Sequence, residues 1–245
     1  MGSFDFLTYT IPDIGQRTVR VFLPRGHDGK KARPALYMFD GQNVFDDKPS
    51  FAGGWHAHAT VDKLSPRRFH VPAVVAIDHG GPERIAELGP WSFRGAPSKT
   101  DRLLDWMARH LVPAMESRYH LVGGPVGRAV SGSSMGGLAA LYAHFRRPDV
   151  FGGAIAMSPS LWFGGARLLG FVAREPTPYV SRVYVDCGAR EGVRMLGLAR
   201  DLARQLSHRG YGADRLLFRE DARGGHSERD WRRRLPSALR FMYRR

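Results

Sequence analysis

Residues Arg128 to Tyr142 read RAVSGSSMGGLAALY. The stretch decides the fold because an apolar strand, a glycine-flanked serine and an amphipathic helix follow one another without a gap. Gly132-Ser133-Ser134-Met135-Gly136 fits the pattern G-x-S-x-G in one register only, with Ser134 in the middle; Ser131 and Ser133 do not fit. A serine held on a sharp strand-to-helix turn has strained dihedrals, so the residues two before and two after must lack side chains that would clash. Gly132 and Gly136 meet that need. A helix beginning near Met135 brings free N–H groups and the positive end of its dipole beside the hydroxyl, where negative charge develops when an acyl carbonyl is attacked. Ala129-Val130 enter the turn, and Leu138, Leu141, Tyr142 and Phe145 leave it at helical spacing, which sets it apart from an ordinary Gly/Ser turn. The reading is the nucleophile turn of a serine hydrolase.

Working outward, Ala35–Asp40 (ALYMFD) and Ala73–Asp78 (AVVAID) are continuous apolar runs of strand length, as parallel strands buried on both faces are. Trp55 to Leu64 reads as the helix crossing between them. Phe6–Thr10 and Arg17–Leu23 flank Pro12-Asp13-Ile14-Gly15 and predict an opening antiparallel hairpin. Gly80 to Lys99 is long for an unstructured connection and predicts a functional loop that walls the substrate pocket. Asp101 to Tyr119 predicts a covering helix with Thr100 as N-cap and a kink at Pro113. Further strands are expected at Phe151–Met157, Arg182–Cys187 and Arg215–Arg219, and helices at Val193–Arg209 and Glu228–Tyr243, the last broken or kinked at Pro236. Gly164 to Pro178 reads as irregular with a short helix. Strands alternating with helices over the whole length predict one α/β domain, residues 1–245, with a mostly parallel central sheet covered on both faces.

At 245 residues and 43% hydrophobic content, the chain is long enough to bury one sizeable core. No apolar run approaches the roughly 18 residues of a membrane span, and MGSFDFLTYTIPD has neither a basic nor an apolar signal region, so the expectation is a soluble, cytoplasmic protein. A single cysteine, Cys187, excludes an intramolecular disulfide and a cysteine-based metal cluster. Ten histidines occur without paired-ligand spacing, so no metal and no cofactor are expected. The net charge of +14 comes from 32 arginines and five lysines, mostly dispersed, with a local concentration at Arg229–Arg234 and Arg240, Arg244 and Arg245. No RNA-binding signature accompanies them, so nucleic acid is not the expected partner.

A serine hydroxyl is a poor nucleophile until a neighbouring base takes its proton, and the base needs a third group to fix its tautomer. In open α/β sheets such groups sit in loops beyond the carboxyl ends of strands. His226 lies in ARGGHS (Ala222–Ser227) just past the last strand and is the best base; His70, His79, His144 and His208 read as surface or packing residues. Glu191, in the loop after Arg182–Cys187, is the preferred acid. Asp186 within that strand would be buried and paired away from the site, and Asp221 is the reserve. The oxyanion hole should use the backbone N–H of Met135 and one from Asp40-Gly41-Gln42-Asn43, with Gln42 the chosen donor and Gly41 supplying the turn. Each such donor is worth roughly 3 kcal/mol in the transition state.

These residues resemble the putative esterase family of the α/β hydrolases, which includes enterochelin-type siderophore esterases, feruloyl esterases, esterase D and the antigen 85 mycolyltransferases. The pieces that carry the resemblance are YMFDGQNVFDD (Tyr37–Asp47), GSSMGGLAALY, SPSLW (Ser158–Trp162), VDCGARE (Val185–Glu191) and GGHSERDW (Gly224–Trp231). The resemblance implies an α/β-hydrolase fold, Ser134 as nucleophile, His226 as base, Glu191 as acid, oxyanion amides at Gln42 and Met135, and Trp162 lining the pocket. The expected substrate is a small-molecule ester. Acyl transfer on the same triad, or a non-catalytic scaffold binding an anionic partner through its basic closing helix, are the alternatives. Arg84 and Arg94 read as surface arginines, with a carboxylate or phosphate clamp as the other possibility.

Overall fold

The computed structural model describes residues 2–50 and 52–245. The chain opens with an antiparallel hairpin, β1 (Ser3–Ile11) and β2 (Gly15–Leu23). It continues through β3 (Ala35–Phe39), α1 (Ala57–Val61), β4 (Ala73–Ile77), α2 (Arg84–Leu88), α3 (Thr100–Trp106), α4 (Val112–Tyr119) and β5 (Arg128–Ser133). After β5 come α5 (Met135–Arg146), β6 (Gly153–Met157), α6 (Phe163–Arg174), β7 (Arg182–Gly188), α7 (Val193–His208), β8 (Leu216–Asp221) and α8 (Glu228–Met242). The eight strands form one sheet in the order β1-β2-β4-β3-β5-β6-β7-β8. β2 pairs antiparallel with β1 and β4, and every pair from β4 to β8 is parallel. The architecture is the α/β-hydrolase one, as expected.

The continuous apolar runs feed two cores because successive side chains of a strand point to opposite faces. Tyr37 and Phe39 of β3, Ala154 and Ala156 of β6 and Val183 and Val185 of β7 pack with α3, α4, α5, α6 and α7. Leu36 and Met38, Ile155 and Met157, and Tyr184 pack with α1 and α8. Each fully buried aliphatic side chain contributes about 1.5–3 kcal/mol, against about 0–1 kcal/mol for a surface ion pair, so these two cores outweigh the many exposed arginine–carboxylate contacts.

Several elements differ from their sequence-based expectation. The crossover helix is regular only over Ala57–Val61, with Trp55 and Leu64 buried on either side of it. The expected loop Gly80–Lys99 contains α2, whose Glu87 is buried against Arg17. Thr100 is not an N-cap: it is the first helical residue, and its N–H donates to Ser98 Oγ at 3.2 Å. The covering helix is interrupted by a π-helical turn at Met107–Leu111, ahead of Pro113, which has no N–H to give the Arg109 carbonyl. α8 continues through Pro236, anchored by buried Trp231 and Leu235 before it and Ala238 and Leu239 after it. Gly164, Gly165 and Ala166 take positive φ, so regular helix in α6 is confined to the segment that follows them.

Candidate active site

Ser134 sits between β5 and α5 with φ 54° and ψ −118°, a conformation that costs about 1–3 kcal/mol for a non-glycine residue. Why both neighbours are glycine is visible in the packing. A Cβ on Gly132 would run into the backbone of Gly136, and one on Gly136 would stand 2.9 Å from Asp40 Oδ2. The turn is pinned from outside by Ser134 N–H donating to the Met157 carbonyl (3.0 Å) and by Ser160 N–H donating to the Ser134 carbonyl (2.9 Å). The Ser134 hydroxyl shares a hydrogen bond of 3.2 Å with Ser160 Oγ.

The loop after β3 lies beside this turn. Asp40 adopts the left-handed region (φ 60°, ψ 48°) and leads into a single 3-10 turn, Gly41–Asn43. Gly41 is required because a Cβ there would meet Asp78 Oδ1 at 2.6 Å. The Gln42 side chain fixes the loop to the backbone of residue 79: its Oε1 accepts from His79 N–H (3.1 Å) and its Nε2 donates to the His79 carbonyl (3.4 Å). Among the described residues, the backbone N–H groups of Gln42 and Met135 have no hydrogen-bond acceptor outside regular elements, as donors kept for a ligand would not. Arg84, read from the sequence as a surface arginine, instead grips Asp40 with both prongs, Nε to Oδ1 at 2.6 Å and Nη2 to Oδ2 at 2.8 Å. Asp40 is thereby held over the start of α5 with its charge neutralised.

Glu191 lies on a one-turn 3-10 segment after β7, with its side chain only 1% exposed. Its Oε1 accepts from Ser158 Oγ (2.6 Å) and Gly188 N–H (2.7 Å), while Oε2 stands 2.7 Å from His226 Nδ1. Burial alone would raise its pKa. Hydrogen bonds from His226, Ser158 and Gly188 overcome that and hold the carboxyl below its usual range, so it is ionised at neutral pH. In a neutral imidazole, an ionised acceptor at Nδ1 favours the tautomer with the proton on Nδ1 and the free lone pair on Nε2. The Trp231 ring packs edge-on against the imidazole, with centroids 4.9 Å apart.

Ser158 joins the two halves. It has φ 44°, and its Oγ donates to Glu191 while accepting from Trp231 Nε1 (3.0 Å) and Arg234 Nη2 (2.9 Å). Two sets of contacts, Ser134 with Ser160 and Ser158 with Glu191 and His226, therefore lie around the carboxyl ends of β5, β6 and β7, with only Pro159 between Ser158 and Ser160 in the chain. No hydrogen bond joins Ser134 Oγ to His226 among the described residues; such bonds are often long in unliganded sites and tighten with substrate.

Arg234 is the residue that sequence reading missed. It is one of a run of arginines on α8, yet it is buried: Nη1 lies 3.1 Å from Asp186 Oδ1, Nη2 3.5 Å from Glu191 Oε1 and Nε 3.9 Å from Asp221 Oδ2. Asp186 is fully buried in β7, and burial pushes it up to about 6 against the pull of Arg234, Tyr184 and Ser158 N–H. Asp221 pairs with Arg233 at 2.5 Å. Neither aspartate makes a hydrogen bond to His226. The basic run is thus not a single solvent face, because Arg234 turns inward and Arg233 is paired with Asp221 and Asp230.

The other histidines are distributed as packing and surface groups. His144 is fully buried, between the Phe151 carbonyl (2.9 Å) and Ser181 Oγ (2.7 Å). His79 adjoins the Asp40–Asn43 loop, its backbone bonded to the Gln42 side chain; its Nδ1 accepts from Gly81 N–H, and burial pushes its pKa down. Trp162 is 38% exposed, edge-on to Phe163, two residues from Ser160.

The family model described as Putative esterase matches residues 14–242, nearly the whole chain. The chain belongs to the esterase family. Membership makes it a carboxylesterase-type hydrolase. In sequence it is similar to the uncharacterized protein YbbA of Bacillus subtilis, 22% identical over 94% of this chain and 93% of that one. It is also similar to a siderophore triacetylfusarinine C esterase of Aspergillus fumigatus, 39% identical over 58% of this chain. That match spans 49% of the fungal enzyme's length. Among solved structures, the enterobactin esterase of Shigella flexneri, determined in the presence of enterobactin, superposes with a TM-score of 0.81 at 21% identity. The superposition covers 98% of this chain and 58% of the Shigella one, and it shows a shared fold. Among the described residues, no helix is long and apolar enough to cross a membrane.

Proposed function

We propose that the chain hydrolyses small-molecule carboxylic esters through an acyl-enzyme on Ser134, with His226 as base and Glu191 orienting it, in a single domain. The observation that carries this reading is the buried, ionised Glu191 at 2.7 Å from His226 Nδ1, at the same strand ends as the strained Ser134. Nε2 takes the Ser134 proton as Oγ attacks the acyl carbonyl. The N–H groups of Gln42 and Met135 hold the oxyanion, and the imidazolium returns the proton to the leaving alcohol. Water then enters by the same route, and its attack on the acyl carbon releases the carboxylic acid and restores Ser134. No cofactor is required for these steps. Trp162 and the Gly41 turn are the substrate-binding residues on this reading.

Siderophore esters are the first class to try, since relatives of this chain are named for them. The test is a fluorophosphonate probe followed by peptide mass spectrometry. A single adduct on Ser134, formed more slowly when excess ester substrate is present with the probe and absent from Ser134→Ala, is the expected result. Labelling elsewhere, or full esterase activity in Ser134→Ala, overturns the reading.

A further inference from the structure

The parallel strands have a second end. At their amino ends, opposite the loops that carry Ser134, Glu191 and His226, lies a cavity of about 650 Å³. It is open to solvent on one side and bordered by the connection into β5, the entries to β7 and β8 and the end of α8. Its volume is in the range of roughly 300–1,000 Å³ that encloses small molecules. Ala129, Gly153 and Met242 form a buried apolar floor.

The walls are cationic. Arg182, Arg215 and Arg244 line the cavity, and among the described residues none has a carboxylate oxygen within 4.0 Å. They donate to main-chain carbonyls instead: Arg182 Nη1 to Met242 (2.8 Å), Arg244 Nη2 to Ala213 (3.2 Å), and Arg215 Nε and Nη2 to Ser181 (3.2 Å) and Pro178 (2.9 Å). Arg128 also lines it but is committed to Glu116. Unpaired arginines are common on this surface. These differ in lining one cavity with a buried apolar floor, and the guanidiniums of Arg182 and Arg244 lie 5.9 and 5.2 Å from the centroid of the same ring, Phe241.

The field they create is only partly offset. Burial lowers the pKa of Arg182 and the charge of Arg244 lowers it further, while Asp214, the one carboxylate in the lining among the described residues, opposes both. His70, on the same wall, is lowered by burial and then by Arg245, Lys31 and Arg182. An anion placed between the two guanidiniums would relieve that repulsion, and their planar forks match the paired oxygens of a carboxylate or phosphate.

We propose that this cavity is a binding site for a small organic anion, its carboxylate or phosphate held by Arg182 and Arg244 and its apolar body resting on Ala129, Gly153 and Met242. The site is separate from the ester-hydrolysing one and does not depend on that assignment.

The test uses the full chain and 8-anilinonaphthalene-1-sulfonate, an aromatic anion whose fluorescence reports binding, with benzoate and phenyl phosphate as competitors. One saturable site is expected, weakened about tenfold by Arg182→Gln or Arg244→Gln, the loss of one charge-assisted hydrogen bond. Asp214→Asn tightens it, and Ser134→Ala leaves it unchanged. The stronger competitor identifies the headgroup as carboxylate or phosphate. Arg182 also holds the end of α8, so circular dichroism checks each variant; Arg244 and Asp214 are exposed and decide the matter if Arg182→Gln unfolds. Absence of a saturable site, or the same affinity in wild type, Arg244→Gln and Asp214→Asn, overturns the proposal.

Discussion

The two ends of the parallel strands treat charge in opposite ways. At the carboxyl ends Asp40 is matched by Arg84, and Asp186 and Glu191 by Arg234, so that a buried acid can stay ionised beside His226. At the amino ends Arg182, Arg215 and Arg244 lean on carbonyl oxygens and keep their charge unpaired. A net charge of +14 is therefore not one uniform property. Where ions are paired they orient reactive groups, and where they are not they leave a field for a ligand to neutralise.

Substitutions can break or sharpen this contrast. The largest effect among them is expected from Glu191→Gln. The amide leaves the packing intact but can present its NH₂ to Nδ1 and favour the wrong imidazole tautomer, so kcat should fall by about 10²–10⁴ with little change in KM. Steady-state kinetics on a p-nitrophenyl ester checks it. Arg234→Met comes next: it strands two buried carboxylates without a counter-charge and should cost about 3–5 kcal/mol, read as a melting temperature lower by about 10 °C. Arg244→Gln, at the other end of the strands, should leave both hydrolysis and melting temperature where they were.

A smaller effect concerns pH. Burial pushes His144 down to about 4, whereas the unfolded chain protonates it near 6.5. A histidine with a lowered folded pKa contributes stability that is present above the unfolded value and is lost as pH falls between about 6.5 and 4. At pH 5 that loss is about 2 kcal/mol. Asp186, raised to about 6, acts with the opposite sign over part of this window, so the comparison must be made against His144→Gln, which keeps Asp186. Denaturant unfolding at pH 7 and pH 5 should show the gap between the two proteins narrowing by about 2 kcal/mol at the lower pH. The smallest effect is expected from Ser160→Ala. Removing the resting partner of the Ser134 hydroxyl should change kcat/KM by less than about fivefold, because that bond is worth about 1 kcal/mol.

How much of this was legible in the sequence follows from how local each signal is. The strand-to-helix turn at Ser134 was readable because it demands Gly132 and Gly136 within five residues, and the central strands because they are apolar on both faces. Asp186 was rightly placed in the strand interior, since a buried carboxylate needs partners there; it found Arg234, Tyr184 and the Ser158 N–H. Arg234 itself was hidden among the arginines of α8, because only the rotation of the packed helix decides which of them turns inward. The role of Arg84 depended on α2 forming inside a stretch that reads as loop. The π-helical turn before Pro113 is a matter of hydrogen-bond register, which residue type alone does not specify. The amino-end cavity is built from widely separated segments and has no local signature.

The central claim is that the hydroxyl of Ser134 passes its proton to His226 and takes up an acyl group. Stopped-flow mixing with p-nitrophenyl acetate tests it most directly. The account predicts a burst of about one equivalent of p-nitrophenol per active site in the wild type and none in Ser134→Ala or His226→Gln; an undiminished burst in His226→Gln would contradict it.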